Sequence, residues 1–321
     1  MQALDGTLVV DLTRYLPGAY ASRELLRLGA RVVRLESPAG DPMRETAPAW
    51  DAALRSGTES VVCDLKSDSG FARALSSRAD VVLESFRPGV AARLGLGSGD
   101  APDSVVYCSI TGFGVEGRHA ARAGHDLNYL GWAGALEDTA PAWPPVQVAD
   151  LAAGALAAVL QILAALLERE RTGAGARITV SMTHRSHDLV AHRLGGDPVP
   201  RMLTGGLACY RTYGTADGRY LTVGALEPKF FTRLCELLGR PELAARQHAL
   251  DQEALAAELA GIFGRRSLAD WLEHFGDEDV CVGPVFTRDE AAAEFGALVV
   301  GRVPELGEHT ESWRNELGLD E

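Results

Sequence analysis

Three titratable residues stand where the sequence pattern favours proton or acyl chemistry: His125, Asp150 and Glu227. His125 follows Gly124, which lets the backbone approach a ligand closely, and precedes Asp126 as the chain enters a predicted helix. Asp150 stands at the start of the most apolar helix pattern in the chain. A histidine carries protons near neutral pH, and a partly desolvated carboxylate acts as a base or a nucleophile. These residue types therefore predict acid–base or acyl-transfer chemistry.

Each of the three also has a purely structural explanation. Asp150 could cap the helix that follows it, where free backbone N–H groups and the helix dipole would keep the carboxylate ionised. His125 could be a structural histidine. Glu227 could cap the helix that Pro228 opens, or its side chain could point back into a cleft between two domains. On the residues alone, both kinds of explanation stay open.

Metal and serine-hydrolase chemistry are poorly supported by the sequence. His184, His187 and His192 could ligate a metal, because the first two share a helix face. Asp188 is the one carboxylate nearby and no cysteine is close, so we expect no metal site. No Gly-x-Ser-x-Gly elbow is present, and the turn after the first strand lacks the GxGxxG fingerprint of dinucleotide binding.

The helix pattern over residues 151–167 contains a single polar residue, Gln161. A helix that is apolar all round is expected to be buried on every side. A membrane span is the competing interpretation. The run is slightly short for a bilayer and no positively charged flank precedes it, so we predict a core helix and no membrane span.

Composition and charge limit the possible partners. The chain has 321 residues, of which 46% are hydrophobic, and a formal net charge of −13. That charge argues against nucleic-acid binding, which requires a basic face, but permits an anionic small ligand held by a few local cations. The five cysteines are widely spaced and never form a CxxC pair. We therefore predict reduced core cysteines in a cytoplasmic protein.

The order of predicted elements indicates an α/β fold. Strand patterns cover residues 7–12, 31–35, 60–65, 80–86, 104–110 and 176–182, and helix patterns separate most of them. This alternation predicts an open, mostly parallel, Rossmann-like sheet with ligands at the carboxyl ends of its strands. A hairpin over residues 209–213 and 220–225 begins a smaller α+β region. We predict a large domain over residues 1–204 with a return of 301–321, a linker over 195–206, and a small domain over 205–300.

Eight segments carry a likeness to a known family. They read, in chain order, LDGTLVVDLTRYLPGAYASRELLRLGARVVRLESPAGDPMR, DLKSDSG, ADVVLESFRPGVAARLGLG, YCSITGFG, AGHDLNY, VADLAAG, YGTADGRYLTVGALEPKFF and LGEHT. The sequence resembles the family III CoA-transferase superfamily and, within it, the α-methylacyl-CoA racemase branch. Each motif is modest by itself, but their common order over nearly the whole chain makes the resemblance specific.

The resemblance implies a large Rossmann-like domain, a small domain, and an interlocked homodimer whose active sites lie between subunits. It implies an acyl-CoA substrate and no cofactor beyond the CoA that the substrate carries. His125, Asp150 and Glu227 match the proton-transfer set of the racemases, whereas Asp150 matches the acyl-carrying nucleophile of the transferases. The CoA contacts that it implies are Cys63, Asp64, Leu65, Lys66, Phe86, Arg87, Arg93, Gly124, Asp126 and Tyr129.

Three places depart from the racemase pattern. Ser37 replaces an arginine that is expected to contact a CoA phosphate, and residues 55–58 read Arg-Ser-Gly-Thr where Asn-Arg-Gly-Lys is usual. Thr179 replaces an aspartate that is common after the long helix. The first two departures predict a weaker grip on the phosphates of CoA.

The function favoured by these observations is racemisation of a 2-methylacyl-CoA through an enolate, with one base on each face of the α-carbon. The alternative is an acyl-CoA:carboxylate CoA-transferase in which Asp150 is the nucleophile. Glu227 followed by Pro228 favours the racemase, because a proton-relay carboxylate has no evident task in acyl exchange. A third hypothesis is a non-catalytic CoA-binding protein, which the altered phosphate contacts suggest and which would bind without turnover.

Overall fold

The larger sheet is open and entirely parallel. A computed structural model describes residues 2–191 and 202–319 of the chain. The strands are β1 (Leu8–Asp11), β2 (Arg31–Glu36), β3 (Glu59–Val62), β4 (Val81–Glu84), β5 (Val106–Thr111) and β6 (Arg177–Ser181). Their spatial order is β3-β2-β1-β4-β5-β6, with every neighbouring pair parallel. The predicted parallel α/β sheet is therefore confirmed.

Both faces of this sheet are buried, because its strands carry apolar residues in continuous runs. In β1, Val9 packs into the core on one face and Val10 into the core on the other. Val32 and Val33 divide in the same way, as does Val82 with its neighbours in β4. Successive side chains of a strand point to opposite faces, so a run of valines needs helices on both sides.

Helices cover these two faces. They are α1 (Leu16–Arg27), α2 (Met43–Thr46), α3 (Pro48–Arg55), α4 (Ser69–Arg78), α5 (Val90–Arg93), α6 (Asp126–Trp132), α7 (Ala157–Thr172) and α8 (Met182–Leu189). A π-helical segment, Ala149–Leu156, runs directly into α7. Gly173 ends α7 with a φ of 73°, as its glycine predicts.

The prediction that the long apolar helix is buried on every side is wrong for this chain. Ala149, Ala153 and Ala158 face the core, but Leu160 is 70% exposed and Leu167 is 67% exposed. An apolar sequence fixes the hydropathy of a helix, but the number of neighbouring elements fixes how many of its faces are covered. By length and composition alone, Ala149–Thr172 could also cross a membrane, and 44% of its most apolar window is buried inside the structure.

The chain divides into two compact units, Met1–Val190 with Leu298–Glu321, and Ala191–Ala297. The second unit holds an antiparallel sheet in the order β7-β8-β9, formed by Tyr210–Gly214, Tyr220–Gly224 and Val282–Pro284. Its helices are α9 (Pro228–Leu237), α10 (Gln252–Phe263), α11 (Leu268–Phe275) and α12 (Arg288–Phe295), with a 3₁₀ turn at Pro241–Arg246. Most of the predicted linker lies outside the described residues.

The C-terminal helix α13 (Thr310–Glu316) packs on β3 of the first unit. The indole N–H of Trp313 donates to Glu59 at 2.6 Å, and the Trp313 side chain is 1% exposed. The backbone N–H of His309 donates to the carbonyl of Ser60 at 2.9 Å. The buried Trp313 side chain and the hydrogen bonds to β3 therefore attach the C-terminal segment to the larger sheet.

The cysteines partly depart from expectation. All five are free, and Cys63, Cys108, Cys209 and Cys235 are buried. Cys281 is exposed, with a φ of 52°, so it is not the core residue that the sequence predicted. It lies in the turn before β9, where the backbone leaves the core.

Candidate active site

His125 is the residue immediately before α6, and hydrogen bonds of its backbone groups fix its position. Its N–H donates to the side-chain oxygen of Asn128 at 3.0 Å, while its carbonyl accepts the N–H of Asn128 at 2.8 Å. The reciprocal contacts fix the entry of the chain into the helix. The imidazole is left exposed, with one ring neighbour, Tyr15, at 6.1 Å between centroids.

Asp126 joins α6 to the π-helical segment. Its carboxylate accepts the backbone N–H of Asp150 at 2.9 Å. Because Asp126 follows His125 directly, this bond brings the backbones of the two predicted catalytic residues to one corner of the first unit. We name Asp126, Tyr129 and Asp150 the aspartate corner.

The electrostatics of the aspartate corner oppose ionisation. Burial first, and then the charge of Asp126, raise the pKa of Asp150 to about 7. Burial also raises the pKa of Asp126, although the N–H groups of Asp150 and Ala149 act in the opposite direction. The expectation that a helix cap keeps Asp150 ionised is therefore wrong. The residue before the helix is Val148, Asp150 lies in the first turn, and desolvation with a like charge outweighs the helix dipole.

Tyr129 is the buried aromatic residue of the aspartate corner. Its hydroxyl donates to the carbonyl of Gly124 at 2.5 Å, and its side chain is 7% exposed. A Cβ added at Gly112 would lie 2.6 Å from the Tyr129 ring, and one at Gly124 would lie 2.8 Å from it. Both glycines are therefore required by close packing. Burial first, and then the charges of Asp150 and Asp126, raise the pKa of Tyr129 to about 12, so it stays a neutral hydrogen-bond donor.

The π-helical segment begins at the corner, and five of its eight residues are alanine or glycine. A Cβ added at Gly154 would lie 3.0 Å from Met182 and 3.2 Å from the carbonyl of Ala149. Wide helical turns of this kind occur often at functional sites, where they displace a side chain from its regular position. The segment lets Asp150 approach Asp126 while the helix continues into α7.

A cavity of about 220 Å³ opens beside His125. Its walls are His125, Asp126, Leu127, Leu130, Trp143, Pro144 and Gln147. Apolar walls with one imidazole and one carboxylate suit a hydrophobic acyl chain next to a reacting centre. Trp143 and Gln147 were not predicted from the sequence, because nothing in a Pro/Trp loop indicates which helix it will fold against.

Glu227 lies in the second unit, where it precedes α9 with extended backbone and an exposed side chain. Its carbonyl receives the N–H groups of Phe230 and Phe231 at 3.0 and 3.2 Å, so its capping position is real. It raises the pKa of the nearby Cys281 thiol, although burial and the charge of Asp279 contribute more. Its partnership with His125 stays a prediction.

The predicted CoA contacts from Cys63 to Lys66 follow β3, Phe86 and Arg87 follow β4, and Arg93 ends α5. Lys66, Arg87 and Arg93 are exposed, and none forms an ion pair with another described residue. Leu65 and Phe86 are half-buried against the core. Asp64 accepts the N–H of Lys66 at 3.0 Å, which with Ser67 lowers its pKa. The cations are therefore available to a ligand.

Cys63 is the predicted contact whose side chain is turned inward. It is 3% exposed, and its thiol donates to the carbonyl of Asp68 at 3.1 Å. Burial, followed by the charge of Asp68, raises its pKa to about 11. A contact from this residue to CoA would have to come from its backbone.

The residues that depart from the racemase pattern are engaged within the protein. Arg55 is buried and pairs with Asp51 one helical turn away, while it also donates to the carbonyl of Pro304 at 3.1 Å. Ser37 donates to the carbonyl of Gly40 at 3.1 Å. Arg55 therefore stabilises the fold and is not free for a phosphate.

A group of mostly buried charged residues, which the sequence analysis did not predict, lies at the carboxyl ends of β1 and β2. We name Asp11, Arg34, Glu36, Asp41 and Arg44 the arginine cluster. Arg34 lies 3.2 Å from Asp11 and 3.5 Å from Asp41, and Arg44 donates to Glu36 at 2.8 Å. Burial opposes ionisation of Glu36, but the hydrogen bonds from Arg44 and Ser60 and the charge of Arg34 hold its pKa below the ordinary value.

Metal ligands are not gathered among residues 2–191 and 202–319, where no three of His, Cys, Asp or Glu converge. His184 hydrogen bonds with the hydroxyl of Ser181 at 2.7 Å, and the ring N–H of His187 donates to the carbonyl of Ala133 at 3.0 Å. His192 lies outside the described residues. Of the three histidines considered as metal ligands, His184 and His187 thus form hydrogen bonds to neighbouring residues.

Comparison with known proteins gives one consistent family. The model of CoA-transferase family III matches residues 4–312. The human α-methylacyl-CoA racemase is 34% identical over 99% of this chain and 94% of its own length. The mouse succinyl-CoA:glutarate CoA-transferase is 30% identical over 97% of this chain and 78% of its own.

The fold of this chain also matches a solved structure. The crystal structure of a CAIB/BAIF family protein from Brucella suis has a TM-score of 0.83 to this chain. That protein is 28% identical, and the match covers 98% of this chain and 99% of the other. The family resemblance seen in the sequence is therefore confirmed.

Proposed function

The chain belongs to CoA-transferase family III, and we propose that within this family of enzymes it racemises a 2-methylacyl-CoA by proton transfer at the α-carbon. The observation that carries the proposal is the aspartate corner, where the pKa of Asp150 is raised to about 7. A racemase needs each of its two groups to act as an acid in one direction and as a base in the other. A carboxyl group that is about half protonated at neutral pH meets this need.

In the proposed reaction His125 takes the α-proton from one face of the substrate. The electron pair of the broken C–H bond moves into the thioester and gives an enolate. Protonated Asp150 then donates its proton to the opposite face, so the configuration inverts and the enzyme is left with an imidazolium and a carboxylate. Exchange with solvent, or the reverse reaction, restores the starting protonation.

The enolate oxygen needs donors that are already in place. The first N–H groups of a helix have no acceptor within the helix, and in α6 these belong to Asp126 and Leu127. Both residues line the cavity beside His125. We propose that this end of α6 stabilises the enolate oxygen while His125 holds the proton.

Glu227 completes the proposed set as a residue that orients His125. Its exposed carboxylate makes no side-chain hydrogen bond to a described residue of its own unit. That leaves it available to an imidazole. Its effect should be smaller than that of His125, because it does not touch the reacting carbon.

The CoA moiety is proposed to lie over the carboxyl edge of the sheet. Lys66 follows β3, while Arg87 and Arg93 follow β4, and these two strands are three strand spacings apart, roughly 14 Å. Phosphates of CoA could span this distance. The exposed, unpaired side chains support their assignment as phosphate contacts.

The second candidate is a CoA-transferase, which several relatives at 30–31% identity favour by name. In it the carboxylate of Asp150 attacks the thioester and expels CoA thiolate, which gives a mixed anhydride. The thiolate then attacks the carbonyl that belongs to Asp150, so that the acyl acid leaves and an aspartyl-CoA thioester remains. A raised pKa lowers the fraction of Asp150 in the carboxylate form that this attack needs, which favours the racemase.

Proton exchange at the α-carbon separates the two activities. A racemase incorporates deuterium from D₂O into a 2-methylacyl-CoA with no acceptor acid present, and a transferase does not. His125→Ala should lower this exchange by roughly 10²- to 10⁴-fold, with a smaller loss in Glu227→Gln. Absence of exchange with every branched acyl-CoA, together with a hydroxylamine-trapped acyl group on Asp150, would refute the racemase proposal.

We further propose that the enzyme is an interlocked homodimer. The exposed apolar residues Leu156, Leu160 and Leu167 on the long helix of the first unit support a surface that is covered in the assembly. Phe295, at the end of α12 in the second unit, is a separate exposed apolar side chain. Sedimentation equilibrium at micromolar concentration should give twice the chain mass of 34.2 kDa. A monomer under these conditions would contradict the proposal.

The cytoplasmic location also remains a proposal, as does a place in lipid metabolism. It is supported by the cysteine spacing, which is typical of reduced proteins. Fractionation that recovers the acyl-CoA activity with cytosolic enzymes is the expected result.

A further inference from the structure

Tyr15 has a backbone conformation that a tyrosine rarely adopts. Its φ is 64° and its ψ is −165°, a region that belongs almost entirely to glycine. Outside glycine, it is one of two residues with positive φ among the described residues, the other being Cys281 of the second unit. Such conformations persist where the surroundings force them, and they concentrate at functional sites.

Three successive residues of the loop are tied to different elements, which explains how the conformation is held. The hydroxyl of Thr13 donates to Asp11 at 2.5 Å, the N–H of Arg14 donates to Ser85 at 3.1 Å, and the N–H of Tyr15 donates to Asp41 at 2.9 Å. The loop is thus fastened to β1, to the end of β4 and to the segment after β2.

Close packing between Thr13 and the first turn of α1 restrains the end of the loop that leads into the helix. A Cβ at Gly18, in the first turn of α1, would lie 1.8 Å from the hydroxyl oxygen of Thr13. The start of α1 therefore sits directly on the loop, and Tyr15 has no freedom to relax by shifting the helix.

The arginine cluster makes the anchor of Tyr15 rigid. Asp41 is 4% exposed, and its other oxygen accepts the N–H of Met43 at 2.9 Å. Arg34, which is 2% exposed, lies between Asp41 and Asp11 and so holds the acceptors of Tyr15 and Thr13 at a fixed separation. The buried charges therefore impose the conformation of an exposed residue.

The consequence of the conformation is the position of the ring. The Tyr15 ring meets the imidazole of His125 at 89° between planes and 6.1 Å between centroids, the edge-to-face arrangement that aromatic rings prefer. Arg14 lies over the same ring at 5.7 Å. The side chain is 45% exposed, so its remaining surface is open. With a negative φ, the Cβ would leave the loop in a different direction and the contact would be lost.

We infer that Tyr15 is a positioning residue, whose ring is held in this conformation to fix the orientation of the His125 imidazole for proton transfer. The inference rests on the proposed function, because it gives the imidazole a reacting α-carbon. It adds a residue from the β1–α1 loop to His125 and Asp150, which come from the start of α6 and from the π-helical segment. The ring, and not the hydroxyl, is the active part, since the contact is between rings.

Three proteins test the inference: the wild type, Tyr15→Phe and Tyr15→Gly. Tyr15→Phe keeps the ring and should retain kcat for α-proton exchange within about twofold. Tyr15→Gly removes the ring and fits the backbone without strain, so kcat should fall at least about tenfold while KM and CoA binding stay within about twofold. Its Tm should be unchanged or higher, which a loss caused by unfolding would not give.

The outcomes separate this inference from the proposed function. If the wild type shows no α-exchange with any branched acyl-CoA, the proposed function fails, and this inference fails with it. If the wild type exchanges and Tyr15→Gly exchanges equally fast, only the inference is overturned. It is also overturned if Tyr15→Phe loses as much activity as Tyr15→Gly, or if the loss in Tyr15→Gly follows a lower Tm.

Discussion

Two groups of carboxylates in the first unit are withdrawn from water and respond in opposite directions. In the arginine cluster, Glu36 is 5% exposed and its pKa lies below the ordinary value. In the aspartate corner, Asp150 is only half-buried, yet its pKa is raised to about 7. The more deeply buried carboxylate is therefore the stronger acid, so depth does not decide the direction.

The difference lies in the neighbours. Glu36 is surrounded by two guanidinium groups and a hydroxyl, which stabilise its charge more than burial opposes it. Asp150 has another carboxylate as its neighbour, and no cation contributes to its pKa. One group of charges is balanced and supports structure, whereas the other is left unbalanced and can exchange a proton at neutral pH.

Replacing Asp150 with asparagine tests the comparison most strongly. Asp150→Asn should lower α-proton exchange by at least about 10³-fold, because one face loses its proton carrier. The same variant should gain stability. A raised pKa means that the stabilising protonated form is lost as the pH rises from the ordinary carboxyl pKa of 3.8 through about 7. At pH 8 we expect a gain of roughly 2 kcal/mol, measured by urea denaturation.

The control for that variant is its behaviour at low pH. Near pH 3 both the folded and unfolded forms of Asp150 are largely protonated, because even the ordinary carboxyl pKa is 3.8, so the stability gain should shrink towards zero. A gain that is independent of pH, or a loss of stability at pH 8, would contradict the assigned charge state of the corner.

Glu36→Gln should have the opposite effect on stability. It removes the ion-pair partner of Arg44 and one negative charge near the buried Arg34, which keeps Asp11 and Asp41, and should cost roughly 3 kcal/mol at pH 7. The sign again follows from the pKa: a lowered value gives stability that is present above the ordinary pKa of 4.5 and is lost as the pH falls through the folded value. The loss should therefore be smaller at pH 3, by the same denaturation measurement. A Glu36→Gln variant as stable as the wild type at neutral pH would remove the contrast between the two groups.

Asp126→Asn examines the unbalanced charge itself. The amide oxygen can still accept the N–H of Asp150, but the negative charge is gone, so the pKa of Asp150 should fall. In the direction where Asp150 acts as base, the activity of the wild type should rise with pH through about 7. In the variant this rise should move to lower pH by up to roughly one unit. An unchanged midpoint would mean that burial alone accounts for the raised pKa.

The smallest effects are expected at the exposed cations. Lys66→Ala and Arg87→Ala should each weaken CoA binding by several-fold and leave Tm unchanged, since neither forms an ion pair with a described residue. The affinity of the wild type should also fall with added salt. Arg27→Ala, an exposed arginine of α1 that pairs with Glu24 at 3.4 Å, is the matched control. Calorimetric titrations in which all three variants bind CoA equally well would show that the nucleotide lies elsewhere.

The sequence alone determined the architecture. Valine-rich runs alternating with helix patterns specify a parallel sheet, because only helices on both faces can bury continuous apolar strands. Motif order determined the family. Residue type and context also selected His125 and Asp150 as candidates, but they left a helix cap and a structural histidine as equally open explanations.

The tertiary structure alone decided the electrostatics and the covered faces. The charge state of Asp150 depends on Asp126, which is 24 positions earlier in the chain and reaches it only through the meeting of α6 with the π-helical segment. The exposed leucines of α7 depend on which elements pack around it, and the positive φ of Tyr15 depends on anchors from β4 and the segment after β2. Periodicity records local preference, whereas pKa values and strain arise from groups that are distant in sequence and brought together by the fold.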